Sequence, residues 1–63
     1  MTCLLAIRQY MYEHGSATER ELIKHCIATA TDDPVTCFAA AMTTLFELDE
    51  INYDNEFEIY DLN

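Results

Sequence analysis

The chain has 63 residues, and its 12 acidic and 3 basic residues give a net charge of −9 at pH 7. A chain this short forms at most one small domain with a marginal core, which we assign to residues 1–63. About half of the residues are apolar, a proportion typical of globular proteins. A single glycine excludes glycine-rich phosphate loops, and the acidic balance disfavours contact with nucleic acid or anionic lipid.

Three cysteines, an odd number, are spread along the chain at Cys3, Cys26 and Cys37. Small secreted domains that depend on disulfides carry an even and denser set. No pair of cysteines or histidines has the spacing of a structural zinc site, so we expect buried thiols, no metal and no cofactor. Since neither a secretory signal nor an apolar run of membrane-spanning length is visible, we expect a cytoplasmic protein.

Two helices are predicted in the first half of the chain. Apolar residues at helical spacing follow Thr2, a suitable N-cap, and the pattern ends at Gly15, a suitable C-terminal residue. Residues 16–17 form a short bridge. Thr18 and Glu21 have the spacing of a capping box, which predicts the start of a second, shorter helix.

The third predicted helix has the clearest apolar pattern. Asp33 is a suitable N-cap and Pro34 a suitable first residue, and we expect the helix to end near Asp49. A continuous apolar stripe at helical spacing predicts the buried face of this helix. The stripe consists of Val35, Phe38, Ala39, Met42, Leu45 and Phe46.

After the third helix, apolar and polar residues alternate on both sides of a short acidic segment, which predicts a β-hairpin. With a three-residue connection over 54–56, Tyr53 pairs with Phe57 and Ile51 pairs with Ile59. That register places all four apolar side chains on one face of the hairpin, so we prefer it to a two-residue turn. The expected core consists of Leu5, Ile7, Met11, Leu22, Phe38, Met42, Leu45, Phe46, Ile51 and Ile59.

The order of helix, bridge, helix, helix and hairpin resembles the winged-helix (winged helix-turn-helix) family. The segments that carry the resemblance are LLAIRQYMYEHGSATERELIKHC, DPVTCFAAAMTTLFELDEI and NYDNEFEIYDL. It implies an α+β fold, a three-helix winged-helix domain with a C-terminal β-hairpin wing. Members of the family commonly bind DNA through the third helix and the wing, and some act only in protein contacts.

The distribution of charge argues against DNA binding by this chain. Residues 1–31 carry three bases and three acids, whereas residues 32–63 carry nine acids and no base. The two elements that contact DNA in a winged-helix protein therefore hold the whole net charge. The third helix also contains no Arg, Lys, Asn or Gln, the residues that usually contact phosphates and base edges.

Two surfaces remain as candidates for contact with a protein. The outer face of the third helix carries small Ala and Thr residues, which favour a partner helix or a homodimer, although an ordinary solvated face is the alternative. The acids of the second half form either a solvated edge or a ridge that meets lysines and arginines of a partner. The predicted partner-binding residues are Thr36, Ala40, Thr43, Thr44, Glu47, Asp49, Glu50, Asp54, Glu56 and Glu58.

These observations predict a non-enzymatic acidic protein-interaction module. We expect a small inhibitor or adaptor of the phage or mobile-element type, anti-CRISPR-like or a DNA mimic, that binds a basic surface of a nucleic-acid-handling protein. The alternatives are a small winged-helix transcriptional regulator, which binds DNA as a dimer or with a basic partner, and a structural subunit of a larger assembly. Catalysis is not expected, because so short a chain leaves little room for a pocket that could perturb a carboxyl pKa.

Overall fold

Three helices precede a C-terminal antiparallel β-hairpin in the structure, a computed structural model that describes residues 1–63. The predicted α+β class is confirmed, and the order of the elements is that of a winged-helix-like topology. No helix has both the length and the apolar composition that a membrane crossing requires. The elements are α1 (Cys3–His14), β1 (Ser16–Ala17), α2 (Glu19–Thr29), α3 (Pro34–Glu47), β2 (Ile51–Asp54) and β3 (Ile59–Leu62).

The first two helices begin at their predicted capping residues, and α1 also ends at the predicted Gly15. The Thr2 hydroxyl accepts a hydrogen bond from the Leu5 amide, and α1 is followed by Gly15 at a φ of 79°, a conformation that favours glycine. Thr18 and Glu21 form the predicted capping box, in which each side chain accepts a hydrogen bond from the other residue's backbone amide. The start of each helix is therefore decided by hydrogen bonds between residues three apart in the sequence.

The predicted bridge at residues 16–17 is a short edge strand, β1. It pairs antiparallel with β3, so the sheet has the order β1-β3-β2 with β3 in the middle. Ala17 lies opposite Tyr60 and is buried. Two residues are too few to show an alternating pattern, which is why the sequence predicts only a connection here.

The predicted register of the hairpin is wrong. Tyr53 pairs with Tyr60 rather than with Phe57, and Ile51 pairs with Leu62. The connection between the strands is therefore four residues long instead of three. The face toward the helices still carries apolar side chains, but on β3 they belong to different residues than predicted.

The turn at residues 55–58 is the physical reason for this register. The Asp54 carboxylate accepts hydrogen bonds from the backbone amides of Glu56, at 2.9 Å, and Phe57, at 3.4 Å. Glu58 takes a φ of 55°, in the left-handed region. This local hydrogen bonding moves Phe57 out of the strand, where its side chain is 67% exposed.

The core lies between the three helices and one face of the sheet. Six of the ten predicted core residues are buried: Ile7, Met11, Leu22, Met42, Leu45 and Ile51. The others are only partly buried, and Leu5 is half exposed on the outer side of α1. The thiols of Cys3 and Cys26 are buried in the same cluster, as predicted.

The buried face of α3 is rotated relative to the predicted apolar stripe. Ala41, which the sequence places on the outer face, is in the core, whereas Val35 is 88% exposed. Ala39 and Phe46 are also exposed, and Phe38 is half-buried. The helix packs on both α1 and α2, so its contacts are centred between these neighbours rather than on the middle of the stripe.

Candidate protein interface

One side of α3 is open to solvent yet carries no charged residue before Glu47. Of the predicted partner-binding residues on this helix, Thr36, Ala40, Thr43 and Glu47 are exposed and Thr44 is half-buried. We refer to these five residues as the α3 face. Solvent-facing helix positions are usually charged or strongly polar, so a small, nearly uncharged face of this length has the character of a contact surface.

The hydroxyl groups of two threonines in the α3 face are already occupied. Thr43 Oγ1 donates a hydrogen bond to the Ala39 carbonyl at 2.9 Å, and Thr44 Oγ1 donates to the Ala40 carbonyl at 3.0 Å. Each hydroxyl therefore donates its proton to its own helix rather than to water or a partner. The α3 face is consequently more apolar than its composition indicates.

An aromatic row continues the exposed surface from the end of α3 onto the sheet. The ring centroids of Phe46 and Tyr60 are 5.9 Å apart, and those of Tyr60 and Tyr53 are 4.9 Å apart. Tyr60 is half-buried, and this burial raises the pKa of its hydroxyl. Phe46 and Tyr53 remain substantially exposed. Such half-exposed aromatic side chains are enriched at the centres of protein interfaces.

The sequence pattern did not reveal the aromatic row as a surface feature. Phe46 falls within the apolar stripe of the third helix, which predicts burial. Tyr53 is placed opposite Phe57 by the predicted register, away from Tyr60. Only the observed four-residue turn brings the two tyrosines together.

Glu50 differs from the other predicted acids because it is paired. Arg8 Nε donates to Glu50 Oε1 at 2.8 Å, and Arg8 Nη2 donates to Glu50 Oε2. The hydrogen bond from Arg8 holds the pKa of the Glu50 carboxyl below its ordinary value. This is the only ion pair in the structure, so Glu50 is the least available of the predicted residues for a partner.

The remaining predicted acids form two unpaired groups. Glu47 is the last residue of α3 and Asp49 follows two residues later, and both are exposed. Asp54, Glu56 and Glu58 lie in the hairpin, where Asp54 is half-buried and closes the turn. We refer to these last three as the hairpin acids. No cation neutralises either group, so both present their full charge to solvent.

The thiols and imidazoles form no metal site. No three His, Cys, Asp or Glu side chains come close enough together to hold a metal ion. Burial raises the pKa of Cys26 to about 12, and its thiol lies 3.9 Å from the Cys3 carbonyl oxygen. Cys26 therefore stays protonated and is not an activated nucleophile.

An apolar groove lies between α2 and the beginning of α3. Its volume is about 270 Å³. Two of its residues, Ile27 and Val35, are 65% and 88% exposed. The apolar stripe predicts Val35 and Ala39 on the buried face of the third helix, so the sequence pattern misses this groove. The lining consists of Ile23, Ile27, Pro34, Val35, Phe38 and Ala39.

Comparison with models of known protein families, with characterised proteins and with solved structures finds no match for this chain. The fold is therefore described by its own topology, three helices followed by a C-terminal antiparallel hairpin in winged-helix-like order.

Proposed function

We propose that this chain is a non-enzymatic protein-interaction module, a small inhibitor or adaptor that binds a basic surface of a nucleic-acid-handling protein. The observation that carries the proposal is the α3 face, an exposed helix surface with no charge before Glu47 on a chain of net charge −9. A protein so rich in acids that carries only one of them on this helix face has a surface suited to burial against a partner.

The two parts of the proposed interface have different roles. The α3 face and the aromatic row of Phe46, Tyr53 and Tyr60 supply small and aromatic surface that a partner can bury. The hairpin acids supply negative charge that steers a basic partner toward this side of the molecule. Glu50 contributes little to steering, because Arg8 neutralises its charge.

A DNA mimic of the phage or mobile-element type is the form of inhibitor that this arrangement favours. Nine acids and no base lie in residues 32–63, so the second half of the chain presents charge of the same sign as a phosphate backbone. The alternative is a small transcriptional regulator that binds DNA as a dimer or with a basic partner. The winged-helix-like topology favours that alternative, whereas the nine acids and the absence of any base in residues 32–63 oppose it.

The experiment that tests the proposal uses the purified protein, immobilised, to capture binding proteins from a bacterial extract. Each captured protein is then purified and its association and dissociation rates are measured at several salt concentrations. We expect a basic protein of nucleic-acid metabolism, with an association rate that falls steeply as salt rises. Partners that are acidic, or rates insensitive to salt, would contradict the proposal.

Two variants separate the contributions of the two surfaces. Asp54→Asn with Glu56→Gln and Glu58→Gln removes three charges and keeps the side-chain oxygen that closes the turn. We expect this variant to associate at least about tenfold more slowly, since steered encounter rates depend on such charges. Ala40→Arg places bulk and positive charge on the α3 face and should raise the dissociation rate, whereas Gln9→Arg, on exposed α1 surface, should not.

DNA mimicry is rejected if the variant without the three hairpin charges binds normally while Ala40→Arg abolishes binding. In that case the α3 face is the whole interface and the hairpin acids only increase solubility. Normal binding by both variants rejects the proposed interface altogether.

A further inference from the structure

The tip of the hairpin carries an exposed aromatic side chain between two acids. Phe57 is 67% exposed, in the turn that Asp54 closes. Its neighbours Glu56 and Glu58 are both exposed, and neither takes part in an ion pair. An apolar ring held out between two carboxylates fits a partner surface that combines an apolar pocket with positive charge.

The groove between α2 and α3 is apolar and open. Ile27 and Val35 are among the most exposed apolar side chains of the chain. Phe57 is not among the residues that line the groove, so the hairpin tip does not fill the groove of its own molecule. The groove therefore leaves an uncovered apolar surface that a side chain from outside can enter.

The rim of the groove on α2 carries the two unpaired bases of the chain. Arg20 is three residues before Ile23, and Lys24 is three residues before Ile27, so helical geometry places both on the side of α2 that borders the groove. Both are exposed, and the only ion pair of the structure involves neither. Glu19, which is exposed and four residues before Ile23, lies on the same side, so two bases and one acid border the apolar floor on α2.

Two acids that directly precede the groove residue Pro34 are already engaged. Asp33 caps α3 by accepting a hydrogen bond from the Val35 amide at 3.0 Å. Asp32 accepts a hydrogen bond from the Cys3 amide, at the first turn of α1. Because helix N-termini favour negative charge, these two carboxylates are partly compensated.

We infer that the hairpin tip of one copy of this chain docks in the α2–α3 groove of a second copy. Phe57 enters the groove beside Ile27 and Val35, while Glu56 and Glu58 meet Arg20 and Lys24. Arg20 and Lys24 are the only unpaired bases of the chain, so the charge complementarity is specific to this rim. The inference goes beyond the proposed function, since it assigns an occupant to a surface outside the α3 face.

This contact joins two different surfaces, so it is a head-to-tail contact. Each copy that uses its groove keeps a free hairpin tip, and each copy that uses its tip keeps a free groove. Such contacts produce open chains or closed rings rather than a two-fold symmetric dimer. The net charge of −9 on every copy limits the affinity, so we expect association at high protein concentration and at moderate salt.

Sedimentation equilibrium of the intact protein up to about 1 mM, in about 0.15 M salt, tests the inference. We expect the mean mass to rise above the 7.3 kDa of one chain. Phe57→Ser and Val35→Ser should each lower the association constant at least about tenfold, because each removes apolar contact area from one side. Tyr12→Ser, at an equally exposed aromatic on α1, should leave it unchanged.

A charge exchange tests the pairing directly. The variant R20E/K24E has a negative rim and an unchanged tip, and the variant E56K/E58K has an unchanged rim and a positive tip. Each variant alone should remain monomeric, because the rim of one copy and the tip of the next copy then carry charge of the same sign. An equimolar mixture should associate again, since every rim then meets a tip of opposite charge.

Three results would overturn the inference. The first is a wild-type protein that stays monomeric at every concentration. The second is association that both Phe57→Ser and Val35→Ser leave unchanged, which indicates another contact surface. The third is a mixture of the two charge variants that remains monomeric. Circular dichroism and thermal melting of each variant confirm that these exposed substitutions leave the fold intact.

Discussion

Arg8 on α1 and Glu50, the residue before β2, form an ion pair with two hydrogen bonds across 42 residues of sequence. The backbone of Glu50 is equally engaged, because its amide donates to the Leu45 carbonyl and its carbonyl accepts from the Asn63 amide. Planar pairing of guanidinium with carboxylate is the strongest geometry for such a contact. Glu50 therefore joins α1, the end of α3 and the end of the chain at one point.

The Arg8–Glu50 pair predicts how stability depends on pH. The pKa of Glu50 is lower in the folded than in the unfolded chain, so the pair stabilises the fold fully above the ordinary glutamate pKa of about 4.3. That stabilisation is lost as pH falls through the lower, folded value. We expect Glu50→Gln to melt at a lower temperature than wild type at pH 7 and at a similar temperature near pH 2.5. A melting difference that does not shrink with acid would contradict this.

Core packing predicts a large difference between two aliphatic residues of α3. Leu45 is fully buried, and Leu45→Ala should cost about 2–5 kcal/mol, comparable with the whole stability of so small a domain, about 3–5 kcal/mol. Val35→Ala, at a position 88% exposed, should leave the free energy of unfolding nearly unchanged. Urea titrations followed by circular dichroism measure the free energy of unfolding of both variants. Equal losses would show that the buried face of α3 differs from the one described.

The environment of His25 predicts that one substitution at this position does not destabilise the fold. Its Nε2 is buried without a hydrogen-bond partner, while its ring lies 5.1 Å from that of Tyr10. His25→Phe keeps the shape and the ring contact and removes the unpaired nitrogen, so we expect stability unchanged or raised by up to about 1 kcal/mol. His25→Ala should be less stable than wild type. A clear loss on His25→Phe would indicate a polar partner for the imidazole.

The three thiols should differ in reactivity. Cys3 and Cys26 are buried, and the pKa of Cys26 is raised to about 12, whereas Cys37 is half-buried. We expect iodoacetamide to modify Cys37 first and Cys26 at least about a hundredfold more slowly, because a domain of about 3–5 kcal/mol opens less than about 1% of the time. Peptide mapping by mass spectrometry follows each site. Rapid modification of Cys26 in the folded protein is the contrary result.

Duplex DNA should not bind the isolated protein. Residues 32–63, which contain α3 and the hairpin, carry nine acids and no base. At about 0.1 M salt we expect no measurable change in the fluorescence anisotropy of a labelled random duplex. Micromolar binding that weakens as salt rises would instead favour the transcriptional regulator.

Residues close together in the chain decide the features that the amino-acid pattern predicts correctly. The caps at Thr2, Thr18 and Asp33 each use a hydrogen bond over two or three residues, so the helix starts were predictable. The order of elements and the concentration of acids in the second half are likewise properties of the linear chain. The α+β class followed from these local patterns.

The buried side of α3 and the pairing of the hairpin depend instead on contacts that the pattern of one element does not predict. Ala41 is in the core and Val35 is not, because α1 and α2 together select the contact side of the helix. Tyr53 pairs with Tyr60 because the hydrogen bonds of Asp54 in the turn set the register, rather than the alternation of apolar and polar residues along the strands. The apolar groove and the Arg8–Glu50 pair likewise join residues from separate elements. Their geometry depends on how whole elements pack against one another. The spacing of residues along one element does not predict that packing.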